Sequence, residues 1–296
     1  MPQLMNTREV AEYLRIKERK VYDLVRDKKI PCTRVTGKWL FPKHLIDIWI
    51  NQATEFPDRP RALLEPPPPV VVGSHDPLLD WAVRESGCDL AMMTGGSLDG
   101  LRRLAAGEAA ACGLHVYDGE HDTYNQSVVA DACTDLDVVL IEWAWRDQGL
   151  VLASGNPLGI HSLSDVRDKQ ARLMTRQHEA GSQLLLVHLL SEAGLGLEEL
   201  SIAGDPARSE TDLGLAVLEG KADAGLCVAT VAHQYRLDFV KLHRERYDLL
   251  VRRQAYFEAP LQKLLAFTAQ ESFAARVAEM AGYDASNLGQ VVYNGG

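Results

Sequence analysis

Ile16-Lys17-Glu18-Arg19-Lys20-Val21-Tyr22-Asp23-Leu24-Val25-Arg26 decides how the N-terminal part of this 296-residue chain is read. As a helix, the stretch puts Val21, Leu24 and Val25 on one side at i, i+3 and i+4 spacing. Arg19, Tyr22, Asp23 and Arg26 fall on the other side. One face suits a small core and the other suits a negatively charged, flat-edged partner, which is what the major groove of DNA presents. A solvated helix whose Arg19 and Asp23 pair at i, i+4 accounts for the same pattern, so the neighbouring sequence has to decide.

Upstream, Asn6-Thr7-Arg8-Glu9 has the order of a capping box, and Val10, Ala11 and Leu14 give a short first helix its buried stripe. A break of a residue or two at Arg15-Ile16 is the compact spacing of a helix-turn-helix. Downstream, Pro31 ends the second helix. Thr33-Arg34-Val35, a Thr36-Gly37 turn and Lys38-Trp39-Leu40-Phe41 then read as a hairpin with a basic tip. Lys43 to Ile50 resumes helical period, with Leu45, Ile48 and Trp49 expected inward. Helix, helix, hairpin, helix describes a winged helix-turn-helix over residues 1–52. Lys17, Arg19, Lys20, Tyr22 and Arg26 would face the groove of double-stranded DNA, while Arg34 and Lys38 on the wing would grip phosphate.

Thr7-Arg8-Glu9-Val10-Ala11-Glu12-Tyr13-Leu14, Val21-Tyr22-Asp23-Leu24-Val25, Lys29-Ile30-Pro31 and Gly37-Lys38-Trp39-Leu40-Phe41 together resemble the excisionase/MerR-like DNA-binding domain. One departure is visible. Lys17 and Lys20 stand where that family commonly shows Ser and Thr, which removes a hydroxyl cap worth roughly 1 kcal/mol. It also sets cations near the positive end of the helix dipole. Contact of those lysines with phosphate would offset this, and Glu18 as dipole partner would serve equally.

Charge separates this head from the rest. Residues 1–50 carry eleven Lys and Arg against six Asp and Glu, a balance of +5, whereas the whole chain stands at −10. A basic head on an acidic body suggests that only the head approaches a polyanion. The 46% hydrophobic and 24% charged content is ordinary for globular chains. No apolar run reaches a membrane span and Met1-Pro2-Gln3-Leu4 lacks a secretory start, so the cytoplasm is the expected compartment. Five scattered cysteines without a CxxC pair point to reduced, buried thiols and to neither structural zinc nor a disulfide framework; no metal or cofactor is expected.

Residues 53–69 read as a linker, polar and proline-broken, ending in Pro66-Pro67-Pro68-Pro69, a stiff polyproline spacer. From Val70 short apolar strands alternate with helices: Val70-Val71-Val72, Leu90-Ala91-Met92-Met93, Ala109 to Leu114, Arg172-Leu173-Met174, Ala222 to Cys227 and Phe239 to Leu242. Such units form α/β folds with mostly parallel sheets and ligands at the carboxyl ends of strands. Those ends carry Ser74 and His75, Thr94, Gly96 and Ser97, His115, then Arg176 with Gly181 and Ser182. Hydroxyls, glycines and a cation at helix starts are the means of holding an anion. Singly, Ser97 and Ser182 read as helix caps and the histidines as structural residues; their recurrence favours a ligand-binding pocket. No paired carboxylates at acid/base spacing, G-x-S-x-G elbow, HExxH or Walker A loop is present, so the chain is not expected to be an enzyme.

Gly73-Ser74-His75-Asp76-Pro77-Leu78-Leu79, Gly96-Ser97-Leu98-Asp99-Gly100-Leu101, Gly113-Leu114-His115, Arg176 to Ser182, Gly220 to Gly225 and Glu245-Arg246-Tyr247-Asp248-Leu249 carry a second resemblance. It is to the type 2 periplasmic-binding-protein fold in its cytoplasmic, regulator-fused form, spanning residues 70–296. The resemblance implies two lobes, one of about 70–150 plus 247–296 and one of about 156–244, with crossings near Gly149–Gly155 and Glu245–Tyr247. It also implies a ligand from molybdenum or tungsten metabolism, either the oxyanion (molybdate or tungstate) or a pterin-cofactor species. The expectation is a one-component transcription regulator that acts as a homodimer or higher homo-oligomer. Its rivals are an enzyme of molybdopterin or small-molecule metabolism with a DNA-binding appendage, and an excisionase-like architectural protein.

Overall fold

The computed structural model describes residues 4–35, 37–53, 66–134 and 136–295, with the side chains of Val35 and 51–53 left out. Thr36 of the expected hairpin turn and residues 54–65 of the expected linker lie outside the described residues. The chain divides into two units, residues 1–61 and 62–296.

The first unit contains β1 (Leu4–Met5), α1 (Thr7–Tyr13), α2 (Glu18–Arg26), β2 (Thr33–Val35), β3 (Lys38–Pro42) and α3 (Lys43–Ala53). Asn6 and Glu9 close the capping box from both sides. Arg15, at φ 52, turns the chain so tightly that Ile16 N–H reaches back to the Ala11 carbonyl at 3.0 Å. β1 and β2 flank β3 antiparallel, forming the wing. Met5, Val10, Ala11, Val21, Ile30, Phe41 and Ile46 form the core.

The phase of α3 corrects the sequence reading. Leu45 and Ile48 are 39% and 47% exposed, and Ile46 is fully buried with Trp49 and Ile50 packed beside it. Two apolar stripes lie side by side on this helix. Packing against Phe41 and Val21 selects the one at 46, 49 and 50, a choice that periodicity alone does not make.

The second unit is built on a curled sheet of ten strands among the described residues. Its first part holds β4 (Val70–Gly73), α4 (Pro77–Glu85), β5 (Ala91–Thr94), α5 (Ser97–Ala105) and β6 (Ala111–Leu114). A small hairpin, β7 (Tyr117–Asp118) and β8 (Thr123–Tyr124), precedes α6 (Gln126–Ala132) and the 15-residue β9 (Val138–Leu152). Next come α7 (Leu163–Asp168), β10 (Arg172–Met174), α8 (Gly181–Glu192), β11 (Ser201–Ile202) and α9 (Glu210–Leu218). β12 (Ala224–Val228) and α10 (Ala229–Tyr235) lead to β13 (Asp238–Arg252), again 15 residues long. α11 (Arg253–Tyr256), α12 (Ala259–Thr268), α13 (Glu271–Glu279), β14 (Tyr283–Asp284) and β15 (Val291–Asn294) close the unit.

The main sheet runs β11-β10-β12-β9-β13-β6-β4-β5. β4, β5 and β6 are parallel, as are β10, β11 and β12, and the antiparallel pair β9–β13 joins the two sets. The long β9 is absent from the sequence reading, and β13 extends ten residues beyond the expected Phe239–Leu242. A strand that is buried on both faces shows no alternation to detect. Gly149 to Leu152, expected at a crossing, are instead strand residues paired with β12. Two apolar cores draw on residues 71–144 and 247–280, and two others lie wholly within 150–237. β9 and β13 therefore pass from one pair of cores to the other near Arg146–Gln148 and Glu245–Tyr247. The end of the proline tract is fixed to this unit, since Ala91 N–H donates to the Pro69 carbonyl at 3.0 Å.

Candidate functional site

In the head, Lys17, Arg19, Lys20, Tyr22 and Arg26 are all exposed on α2, and Arg34 and Lys38 are exposed on the wing. Lys17 occupies the N-cap of α2 without a side-chain cap bond. Asp23 pairs with Arg26 at 3.1 Å, and Asp27 takes the same guanidinium at 2.9 Å. The pairing read between Arg19 and Asp23 is thus replaced by one at i, i+3. Arg34 lies over the Trp39 ring at 5.3 Å, which aims the wing cation outward from a rigid support.

In the body, the β4, β5 and β6 ends converge as expected, but their hydroxyls turn toward one another. Ser74 Oγ lies 2.9 Å from Ser97 Oγ and 3.1 Å from His115 Nε2, and His115 Nδ1 lies 2.7 Å from Glu245. His115 N–H donates to Ser97 Oγ at 3.3 Å. Burial raises the Glu245 carboxyl, but Arg146, His115 and Gln148 outweigh it and hold the group down at about 2. An ionised carboxylate only accepts, so His115 Nδ1 carries a hydrogen. Nε2 and the two serine hydroxyls continue a chain of hydrogen bonds that returns to the His115 N–H through Ser97.

Behind this ring lies an ion cluster that sequence reasoning missed. Arg146 donates to Asp76 at 2.8 Å and to Glu245, and Gln148 Nε2 donates to Glu245 at 2.9 Å. Asp76 caps α4 as expected, through Leu79 N–H at 2.7 Å, and also accepts from the Tyr283 hydroxyl at 2.7 Å. Arg146 stacks on Tyr247 at 4.5 Å, and Tyr247 donates to the Ser74 carbonyl at 2.6 Å. Asp76, Arg146, Gln148, Glu245 and Tyr247 are all fully buried. One signal pointed here: Glu142 and Arg146-Asp147-Gln148 interrupt an apolar run, and charged side chains that end up buried are almost always paired.

The other wall is the β10–α8 connection. Arg176, read as the charge for a ligand, is paired with Glu210 at 2.7 Å and with the carbonyls of Ala207 and Arg208. Gly181 opens α8 so close to His115 that an added Cβ would come within 2.7 Å of the His115 carbonyl oxygen. Ser182 is 1% exposed, and its hydroxyl has no hydrogen-bond partner. His75 Nδ1 is likewise unpartnered, and burial pushes its imidazole toward the neutral form, with Glu210 and Arg176 among its electrostatic neighbours. Gly96, at φ 114, is the N-cap of α5, so Ser97 is its first helical residue and not the cap. Thr94 is exposed at the end of β5, opposite Gly73 in the strand register. A groove of about 590 Å³ lies apart from this seam, along α12 and α13; its Tyr283 reaches Asp76 from behind.

Residues 80–269 match the model of the PBP superfamily domain. The chain belongs to the PBP superfamily. Residues 4–54 match a helix-turn-helix domain, so the PBP unit follows an N-terminal helix-turn-helix. The Bacillus subtilis protein YvgK is 26% identical over 301 residues, covering 96% of each chain. Among solved structures, a phosphate ABC transporter substrate-binding protein from Clostridium perfringens, with bound phosphate, covers 75% of this chain and 98% of its own. Its TM-score is 0.52 at 12% identity. The sulfate-binding protein SubI from Mycobacterium tuberculosis gives a TM-score of 0.50 at 16% identity, covering 74% of this chain and 86% of its own. These likenesses establish the type 2 fold. No helix among the described residues is long and apolar enough to cross a membrane.

Proposed function

We propose that the protein is a cytoplasmic, ligand-responsive DNA-binding transcription regulator. Its helix-turn-helix reads an operator, and a small anion binds where the Ser74–Ser97–His115 ring meets the start of α8. The observation that carries this reading is the seam itself: buried hydroxyls, imidazoles and ion pairs in place of apolar side chains, at the joint of two long strands. A seam filled with apolar side chains would have favoured a purely architectural body. The first turn of α8 presents free N–H groups to an anion, and the unpartnered Ser182 hydroxyl stands beside them. Solved structures of the same fold include one with bound phosphate and a sulfate-binding protein, which is compatible with such a ligand. The ligand acts by changing how the halves joined by β9 and β13 close, and a homodimer of heads senses the change as altered half-site fit. Anisotropy titrations of a selected operator at fixed salt test this, with and without the small molecule that co-purifies by native mass spectrometry. Unchanged operator affinity sinks the coupling.

A second reading, an acyl-transfer enzyme, is favoured by one alignment: Ser74, His115 and Glu245 stand in the order of nucleophile, base and orienting carboxylate. The backbone weighs against it. Ser74 N–H donates to the Gly113 carbonyl at 2.8 Å, and Gly95, Gly96 and Leu98 N–H groups likewise donate to carbonyls, so these four are not free to stabilise an oxyanion. Labelling of Ser74 by a fluorophosphonate would reverse the choice.

A further inference from the structure

The β7–β8 hairpin follows β6 in the first half of the body, and its root is fixed there. Val116 N–H donates to Asn125 Oδ1 at 2.6 Å, and Asn125 Nδ2 donates to the Leu114 carbonyl at 3.2 Å and to Asp248 at 2.7 Å. Asp118 stiffens the turn, accepting from the Glu120 and His121 N–H groups and from Ser127 at the start of α6. The rest of the hairpin reaches the other half. Tyr117 packs against the core that holds Leu185, Leu186 and Leu190 of α8. Its ring makes edge-to-face contacts with His188 of α8 at 4.9 Å and with His243 of β13 at 5.1 Å. Its hydroxyl donates to Asp122 within the hairpin at 2.8 Å. Gly119 lies so near α8 that an added Cβ would come within 2.7 Å of the His188 ring, and the Tyr124 hydroxyl lies 2.6 Å from His243 Nε2.

These contacts continue the seam. Gly181 meets His115, and His188, seven residues further along α8, meets Tyr117 and Gly119. Positions i and i+7 share one helix face and stand about 10 Å apart. Two such separated contacts oppose both sliding and tilting of the helix. Because the hairpin is rooted in the first half, it cannot follow α8 when the halves part. The geometry points to a strap: the β7–β8 hairpin spans the joint and holds α8 against the first half, and Tyr117 leaves His188 and His243 before the seam opens. This rests on the cleft reading above only in taking the two halves to move. By linkage, the strap sets how many molecules are open without ligand, and so how readily a ligand closes them.

The test is amide hydrogen exchange on the full chain without added ligand, comparing Tyr117→Ala, Tyr117→Phe, Gly119→Val and Arg102→Glu. The last cuts an ion pair elsewhere on the seam. Tyr117→Ala and Gly119→Val are each expected to speed exchange in α8 and in residues 115–124 by about ten-fold or more, while α4 and α9 stay within about two-fold of the wild type. Tyr117→Phe, which keeps the ring, is expected to match the wild type. Gly119→Val leaves Tyr117 in place, so the test survives a failure of Tyr117→Ala to fold. A uniform rise throughout the body would mark Tyr117 as a packing residue only and overturn the strap. So would unchanged exchange in both strap variants: the strap alone falls if Arg102→Glu still loosens α8, and the movement of the halves falls with it if Arg102→Glu does not.

Discussion

Arg102 and Glu179 are 77 residues apart, yet they join the two walls of the seam by a two-pronged ion pair. Nη1 meets Oε1 at 2.6 Å and Nη2 meets Oε2 at 2.8 Å. The Glu179 carbonyl also accepts Leu98 N–H at 3.3 Å, so the β10–α8 connection supplies a partner to the first turn of α5. Because both side chains reach solvent, their attraction is screened by salt. Arg102→Glu and Glu179→Arg are each expected to open the seam and enlarge the radius of gyration in small-angle scattering. The double exchange is expected to restore it, and high salt to blur all three differences.

Gly181→Ala separates closing from folding. The added Cβ meets the His115 carbonyl oxygen across the seam, outside all four apolar cores of this unit. Thermal stability in the absence of ligand is expected to fall, because the buried His115 backbone and ring have to give way, and the stabilisation produced by a binding probe to disappear. Retention of that stabilisation would show that the walls need not approach so closely.

Two buried carboxyls give the body opposite responses to acid. Glu245, held down at about 2, contributes stability above the ordinary glutamate range and loses it as pH falls from about 4 to 2, some 3 kcal/mol in all. Asp248 is pushed up to about 6 by burial, which Arg246 and Asn125 only partly offset. Its proton uptake between about pH 6 and 4 favours the folded form. Glu245→Gln is expected to melt lower at neutral pH but to flatten the acid limb, and Asp248→Asn to remove the gain between those values. Melting curves across that range check both.

On the DNA face, Arg19→Ala is expected to weaken operator binding by about 1–3 kcal/mol with little effect on random DNA. Arg34→Ala and Lys38→Ala are expected to weaken both equally and to reduce the salt slope. Arg26, already shared between Asp23 and Asp27, is expected to matter less than Arg19. Equal loss on both DNAs for Arg19→Ala would make it a phosphate contact.

The phase of α3 can be checked by stability alone. Ile46→Ala is expected to cost about 2–5 kcal/mol, whereas Leu45→Gln and Ile48→Gln are expected to stay within about 0.5 kcal/mol.

Much of the fold was legible because its signals are local. The capping box at Asn6, the Asp76-Pro77 start of α4 and the order of helices around the wing all depend on neighbours a few residues apart. The strand ends bearing Ser74, Ser97 and His115 could be read in the same way, and the structure does gather them. Arg176 is held by Glu210, since whether a polar group faces a ligand or a protein partner depends on chain arriving from elsewhere.

By itself, the sequence determined a basic winged helix-turn-helix ahead of an acidic α/β body, through helical and strand periodicity and the distribution of charge. Tertiary structure alone decided which stripe of α3 is buried and that β9 and β13 run unbroken through both halves. It also decided that Asp76, Arg146, Glu245 and Tyr283 form one buried cluster behind the hydroxyl ring. Arg146 and Tyr283 are 70 and 207 positions from Asp76, and Glu245 is 99 from Arg146. No short period links positions so far apart. They meet because an unpaired charge inside a protein is too costly to leave, and the fold offers each of them one place where a partner waits.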